Sequence, residues 1–151
     1  MPSIVCTFHA GALAAAGVRA LDANLRRVYR EQLGRDHNVR VLWCELPEGQ
    51  AFTAGRASDV TYLLVEVDDG LEPARREAAL RALADALATG ACVPIERVMV
   101  TVADHSVFAR FLAAYRGRIR PRSRPWFLAT TLYGLWRSRR RDGYLAIRAN
   151  L

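Results

Sequence analysis

The chain opens Met1-Pro2-Ser3-Ile4-Val5-Cys6-Thr7-Phe8. Ile4, Cys6 and Phe8 alternate with Val5 and Thr7, so apolar groups stand on both faces. That pattern predicts a β-strand buried on both sides. Pro2 suits the first position of a strand, where no ladder donor is needed. A small proline ring directly behind the initiator Met also favours removal of the Met, which would leave a free secondary amine. An unperturbed α-amino group titrates at about 7.7–8.0. Burial or a nearby cation lowers that value, because each disfavours the ammonium. A strand beginning in such an amine would hold a base poised near working pH. The plainer reading is a strand start with no chemistry.

Working outward, His9-Ala10-Gly11-Ala12 reads as a turn and residues 13–33 as a helix. Leu13, Val18, Leu21, Leu25, Val28 and Leu33 recur at helical spacing, with Arg19, Asp22, Arg26, Arg27 and Arg30 between them. Gly34 is a stop signal. Val39 to Glu45 reads as a second strand, and Leu46 to Gly55 as a hairpin or loop. The pattern then returns. Val60 to Val67 is a strand, Asp68-Asp69-Gly70 a turn, and Glu72-Pro73 opens a helix to about Thr89. Leu80, Leu83 and Leu87 are expected on its apolar face and Gly90 at its end. Arg97 to Ala103 reads as the fourth strand. A shift of about 59 residues lays Leu21 on Leu80, Val28 on Leu87 and Val39 on Val98.

The expected fold class is therefore α/β (α+β): two tandem β-α-β units forming a four-stranded sheet with two helices on one face. Helices of this length serve as right-handed crossovers between parallel strands. The units span about residues 2–58 and 60–115. The other sheet face also carries apolar residues and is expected to pack on further copies of the chain, since buried edges and a doubly apolar sheet disfavour a lone monomer.

Charge separates the tail from this body. Every basic residue of the 22 is Arg. Residues 1–115 carry 12 Arg against 14 acids, a net of −2, and residues 116–151 carry 10 Arg against Asp142 alone, a net of +9. The basic pI thus belongs to a C-terminal extension over 116–151. Residues 106–116 read as a short helix, Arg116 to Arg124 as an extended, solvated arm, and Trp126 to Trp136 as an apolar segment followed by Arg137, Arg139, Arg140 and Arg141. Such a tail could contact nucleic-acid phosphates or an anionic membrane; a tail that is solvated or packed on a neighbouring subunit is the favoured expectation. No apolar run has spanning length and no secretion signal is read, so the chain is expected to be cytoplasmic. Cys6, Cys44 and Cys92 lack metal-ligand spacing and are expected to be buried, reduced thiols. His9, His37 and His105 share no such spacing and are assigned to the surface. No phosphate loop, metal cluster or Ser/His/Asp order is evident, and neither cofactor nor metal is expected.

Two β-α-β units opened by Met-Pro resemble the tautomerase superfamily. The first half looks most like 4-oxalocrotonate tautomerase, and the tandem length like the fused members such as cis-3-chloroacrylic acid dehalogenase and its relatives. The resemblance covers about residues 2–115. Its most specific stretch is Asn38-Val39-Arg40-Val41-Leu42-Trp43-Cys44-Glu45-Leu46, followed by Glu48-Gly49-Gln50-Ala51-Phe52-Thr53-Ala54-Gly55. In the family a Val-Arg-Val strand carries a substrate-binding Arg, and the following hairpin an active-site aromatic. Arg40 and Phe52 stand at those places, and Pro2 at that of the catalytic amino-terminal proline. The resemblance also implies a trimer of tandem units. The sequence departs from the family where Ala12 follows Gly11 and Leu71 follows Gly70, positions at which the family places arginines. The dehalogenases' water-activating carboxylate has no clear counterpart near Ala113 and Ala114. Tyr29 stands where they carry a helix His, and the second unit starts near Thr61 rather than Pro.

The expected function is a tautomerase-type isomerase acting on a small 2-oxo or enol carboxylic acid, with dehalogenation less favoured. Pro2 would move the proton as base and acid, and Arg40 would grip a substrate carboxylate. Arg97 is read as the equivalent of Arg40 in the second unit. Phe52 would form an apolar wall, and Tyr29 could donate a hydrogen bond. The structural alternatives are an ion pair at a strand end for each Arg, hairpin packing for Phe52 and a core position for Tyr29. The competing function is a superfamily member with altered chemistry that binds a small ligand or an anionic surface.

Overall fold

The computed structural model describes residues 1–34, 38–47, 49–118 and 123–148, without the side chains of Tyr115, Arg116 and Arg148. The surface place expected for His37, residues 119–122 of the expected arm, and Glu48 in the expected hairpin lie outside the described residues.

Strand β1 is Ser3–His9, helix α1 Ala15–Leu33 and strand β2 Arg40–Leu46. Gly34 caps α1 in the left-handed region, its N–H donating to the Arg30 carbonyl. A short hairpin follows, β3 (Phe52–Thr53) and β4 (Arg56–Ala57), turned at Ala54 and Gly55, both at positive φ as a two-residue primed turn requires. The second unit repeats the first, with β5 (Thr61–Val67), α2 (Pro73–Ala91), a 3-10 turn at Ile95–Arg97, and β6 (Val98–Asp104). Helices α3 (His105–Arg118) and α4 (Arg124–Asp142) and strand β7 (Leu145–Arg148) complete the chain.

The sheet order is β6-β5-β1-β2-β7, with β1 antiparallel to β5 and the other neighbours parallel. It has five strands where four were expected, because the C-terminal extension adds β7 alongside β2. Residues Arg116 to Arg118 continue α3, where an extended arm was expected. Alternating Arg carries no strand signal of its own, since Arg is among the better helix formers. Phe108 anchors the helix at 7% exposure.

Matching elements start 58 residues apart: Ser3 and Thr61 (61 minus 3), Ala15 and Pro73 (73 minus 15), Arg40 and Val98 (98 minus 40). The repeat is thus one residue shorter than the expected shift. One residue turns a helix by about 100°, which matters for packing. Leu21, Leu25, Val28 and Tyr29 correspond to Ala79, Leu83, Ala86 and Leu87, all buried. Leu80, expected on the apolar face, is 37% exposed instead. Arg97 does not stand at the place equivalent to Arg40: the shift of 58 residues puts Val98 there, and the expected shift of 59 puts Met99 there. Gly90 is the penultimate residue of α2. It lies inside the helix, where a Cβ would come 2.5 Å from Leu21 Cδ1, so it allows the two helices to approach closely. The cap is Cys92, at φ 54.

The core lies between the helices and one sheet face, built from Ile4, Cys6, Phe8, Val41, Trp43, Leu63 and Val65 against Leu21, Leu25, Leu83 and Leu87. Trp43 is fully buried, edge-on to Phe8 at 5.9 Å and to Tyr144 of the extension at 6.3 Å. Side chains on the opposite face (Val5, Thr7, Leu42, Cys44, Tyr62, Leu64) are half-buried. Burial pushes the Cys6 thiol well up, and desolvation also raises Cys44 against a hydrogen bond with Thr7. Cys92, expected to be buried, is exposed. Among the described residues no helix is long and apolar enough to cross a membrane.

Candidate functional site

Strand directions decide which residues meet. β1 and β2 are parallel, with Ser3 opposite Arg40, so Pro2 and Arg40 begin at the same end of the sheet. The Arg40 N–H donates to the Pro2 carbonyl at 3.0 Å. β5 runs antiparallel to β1 and ends beside it, bringing Glu66 next to Ser3. β6 is parallel to β5, so its end delivers His105, the first residue of α3, to the same place.

These residues form a connected polar group. The Ser3 N–H donates to Glu66 Oε2 at 2.9 Å, and His105 Nδ1 lies 2.5 Å from Glu66 Oε1. Arg40 Nη2 donates to Ser3 Oγ at 2.9 Å. The Tyr29 hydroxyl donates to the Glu66 carbonyl at 2.9 Å. Glu66 is only 5% exposed, and a buried carboxylate is tolerated because its oxygens have these partners. The His105 side chain, by contrast, is 66% exposed.

Beside this group lies a cavity of about 300 Å³, lined by Met1, Arg26, Asn38, Val39, Arg40, Arg139 and Leu145. Among the described residues its lining includes three arginines and no acidic residue. Arg26 is fixed by Asp22, with Nε 2.5 Å from Oδ2, and by the Val39 carbonyl. Arg40 Nε is buried and has no hydrogen-bond partner. Met1, which is bonded to the Pro2 nitrogen, lines the cavity, and Pro2 itself is not among the lining residues. Planar, permanently charged guanidiniums suit a carboxylate, which they can hold bidentately.

Of the residues singled out from the sequence, Pro2 and Arg40 come together. Tyr29 is a core residue at 1% exposure, connected to them through Glu66. Phe52 is 67% exposed in the hairpin that leaves the far end of β2. Arg97 precedes β6, whose start also lies at that far end, and pairs with Asp59 at 2.6 Å. His105 is exposed as expected, whereas His9 ends β1 half-buried, with Nε2 lacking a partner. Ser3, Glu66, Arg26 and Arg139 were not singled out as site residues, and His105 was assigned only to the surface. Glu66 did carry a signal, as the lone acid in the apolar run from Val60 to Val67, and His105 follows a strand end directly. Arg139 carried none, because its place depends on the pairing of β7. Among the described residues no three His, Cys, Asp or Glu side chains gather as metal ligands.

Tandem β-α-β units, their parallel pairing within each unit and the antiparallel junction between them define the class: this is the tautomerase-superfamily fold in its fused tandem form. Among solved structures, native Ps01740 matches with a TM-score of 0.65 and 28% identity, over 68% of this chain and 93% of that one. The fused 4-OT asymmetric trimer F6 matches with a TM-score of 0.65 and 20% identity, over 68% of this chain and 85% of that one. Pt0534 inactivated by 2-oxo-3-pentynoate matches with a TM-score of 0.63 and 23% identity, over 68% of this chain and 84% of that one. No family profile matches the sequence, and no curated protein matches it.

Proposed function

We propose that the chain is a tautomerase-type isomerase that moves a proton on a small 2-oxo or enol carboxylic acid through the Pro2 amine. The observation that supports this reading is the registered start of two parallel strands, where the Arg40 N–H donates to the Pro2 carbonyl, together with a cavity lined by Met1, Arg26, Arg40 and Arg139. Once Met1 is removed, the Pro2 nitrogen is a secondary amine. Adjacent cations favour its neutral form, which is the form that accepts a proton. It takes a proton from the carbon next to the carbonyl and returns it at another carbon, giving a 1,3- or 1,5-shift. Arg40 holds the substrate carboxylate and stabilises the charge that develops on the enolate.

Phe52 fits this reading only across a subunit contact, because within one chain its hairpin leaves from the far end of β2. A homotrimer, as named for the fused 4-OT structures, would allow such a contact. We assign the chain to the cytoplasm.

The test is intact mass of the purified protein, then ketonisation of phenylenolpyruvate by wild type and Pro2→Ala. The expected outcome is loss of Met1 and a fall in kcat of roughly a hundredfold on substitution, because alanine offers only a primary amine that no ring holds in place for proton transfer. The ynone 2-oxo-3-pentynoate is an electrophile that a free amine attacks, so it should add one label at residue 2. Retained Met1 makes the Pro2 nitrogen a non-basic amide, and either that result or equally inert proteins would sink the reading. The second reading, a ligand-binding relative with altered chemistry, is favoured by Ala12 and Leu71 after Gly11 and Gly70. It predicts carboxylate binding without turnover.

A further inference from the structure

We propose that Arg139, carried by the C-terminal extension, is a substrate-positioning residue that shares the substrate carboxylate with Arg40. This rests on the isomerase reading above and extends its site beyond the repeated units.

The placement of Arg139 is fixed rather than incidental. β7 pairs with β2 in parallel, with Leu42 opposite Leu145 and Glu45 opposite Arg148. Gly143, at φ 82, ends α4 and turns the chain back into the sheet. Ser138, directly before Arg139, is 7% exposed; its Oγ donates to the Leu135 carbonyl and accepts the Ala146 N–H at 2.9 Å. Arg19 Nη1 donates to the Asp142 carbonyl at 3.1 Å, which ties the end of α4 to α1. Tyr144 packs edge-on against Trp43. The last turn of α4 is therefore anchored on both sides, and its Arg139 lines the cavity that Met1 and Arg40 also line.

The three guanidiniums there differ in how committed they are. Arg26 is occupied by Asp22 and the Val39 carbonyl and acts as a fixed wall. Arg40 gives Nη2 to Ser3 Oγ, while its buried Nε lacks an acceptor. Among the described residues no hydrogen bond or ion pair engages the Arg139 guanidinium, whereas its neighbours Arg140 and Arg141 are engaged with Trp136 and Asp142. Arg139 is exposed and lines the same cavity as Arg40, whose buried Nε lacks an acceptor, so an anion entering that cavity would meet both arginines. A carboxylate has enough lone pairs to accept from both.

The test measures ketonisation of phenylenolpyruvate and equilibrium binding of phenylpyruvate by wild type, Arg40→Gln, Arg139→Gln, Arg139→Lys and Arg137→Gln. Arg137 lies outside the cavity lining and serves as a charge control. Arg139→Gln should raise KM and Kd about tenfold, the scale of one charge-assisted contact at a partly open site, and leave kcat within about twofold. Arg139→Lys should restore part of the affinity, since it keeps the charge and loses the fork. Binding of the neutral methyl ester of phenylpyruvate should not change. If Arg139→Gln binds as wild type while Arg40→Gln is weakened, the assignment of Arg139 is overturned and the isomerase reading stands. If Arg40→Gln is also unaffected, or wild type neither binds nor turns over, the isomerase reading fails and this assignment fails with it.

Discussion

Glu66 shows how one side chain holds the start of β1. Its carboxylate accepts the Ser3 N–H, contacts His105, and lies behind Pro2 without touching the cavity. Glu66→Ala would leave the Ser3 N–H buried with no acceptor, which costs about 1–3 kcal/mol. Urea unfolding should show that loss, and Glu66→Gln, which keeps an acceptor oxygen, should recover much of it. Equal stability of all three proteins would show that the contact holds nothing. Sequence reading singled out Pro2 and Arg40 because each stands at a strand start that can be recognised locally. It did not single out Glu66 or Arg139, whose places arise from strands distant in the chain. A lone acid in an apolar strand is visible, but the partner that explains it is not.

At the scale of the helices, the correct repeat spacing makes opposite predictions for two neighbouring types of leucine. Leu83 is fully buried against the sheet, and Leu80 is 37% exposed. Leu83→Ala should cost about 2–5 kcal/mol, as for other buried leucines, and Leu80→Ala less than ~1 kcal/mol. Thermal or urea unfolding of the pair decides it, and similar losses would favour the longer spacing. Both β-α-β units were legible because strand alternation and helical periodicity are local signals. The one-residue error was invisible at that level: Ala79 and Ala86 face the core as small side chains, while Leu80 advertises a hydrophobic face it does not occupy. β7 was missed for a related reason. Tyr144-Leu145-Ala146-Ile147-Arg148 is too short to show a period, and its identity as a strand comes from the open edge of β2.

For the whole molecule, the helices cover one face of the sheet and leave the other with Val5, Leu42, Tyr62 and Leu64 half-buried. Exposed apolar area of this kind is normally covered by a partner. On the trimer reading, light scattering should report three chains per particle across a broad concentration range. A monomer throughout would remove both the trimer and any part for Phe52 in the site. Burial of that face should also leave Cys92 as the thiol that modifies first, since Cys6 is buried and Cys44 shielded. The +9 charge of the extension was legible as composition. Its division into a docked strand, an anchored helix end and an exposed Trp126, Leu132 and Trp136 surface was not, because it depends on how the tail meets the sheet.

Of the strands that pair in the sheet, β2 and β7 are the most widely separated in the chain, and this has a consequence in time. A nascent chain emerges amino-terminus first and its early segments begin to fold before later ones exist. Contacts between distant segments form late, because the long loop between them must close first. Pro2, Ser3 and Arg40 can be in register while the ribosome is still making α2. The cavity beside them gains its last wall only when Leu145 follows Arg139 out of the exit tunnel. A half-made chain would thus carry the start of β1 beside β2 without Arg139 and Leu145, and the cavity is complete only after the final described strand has emerged.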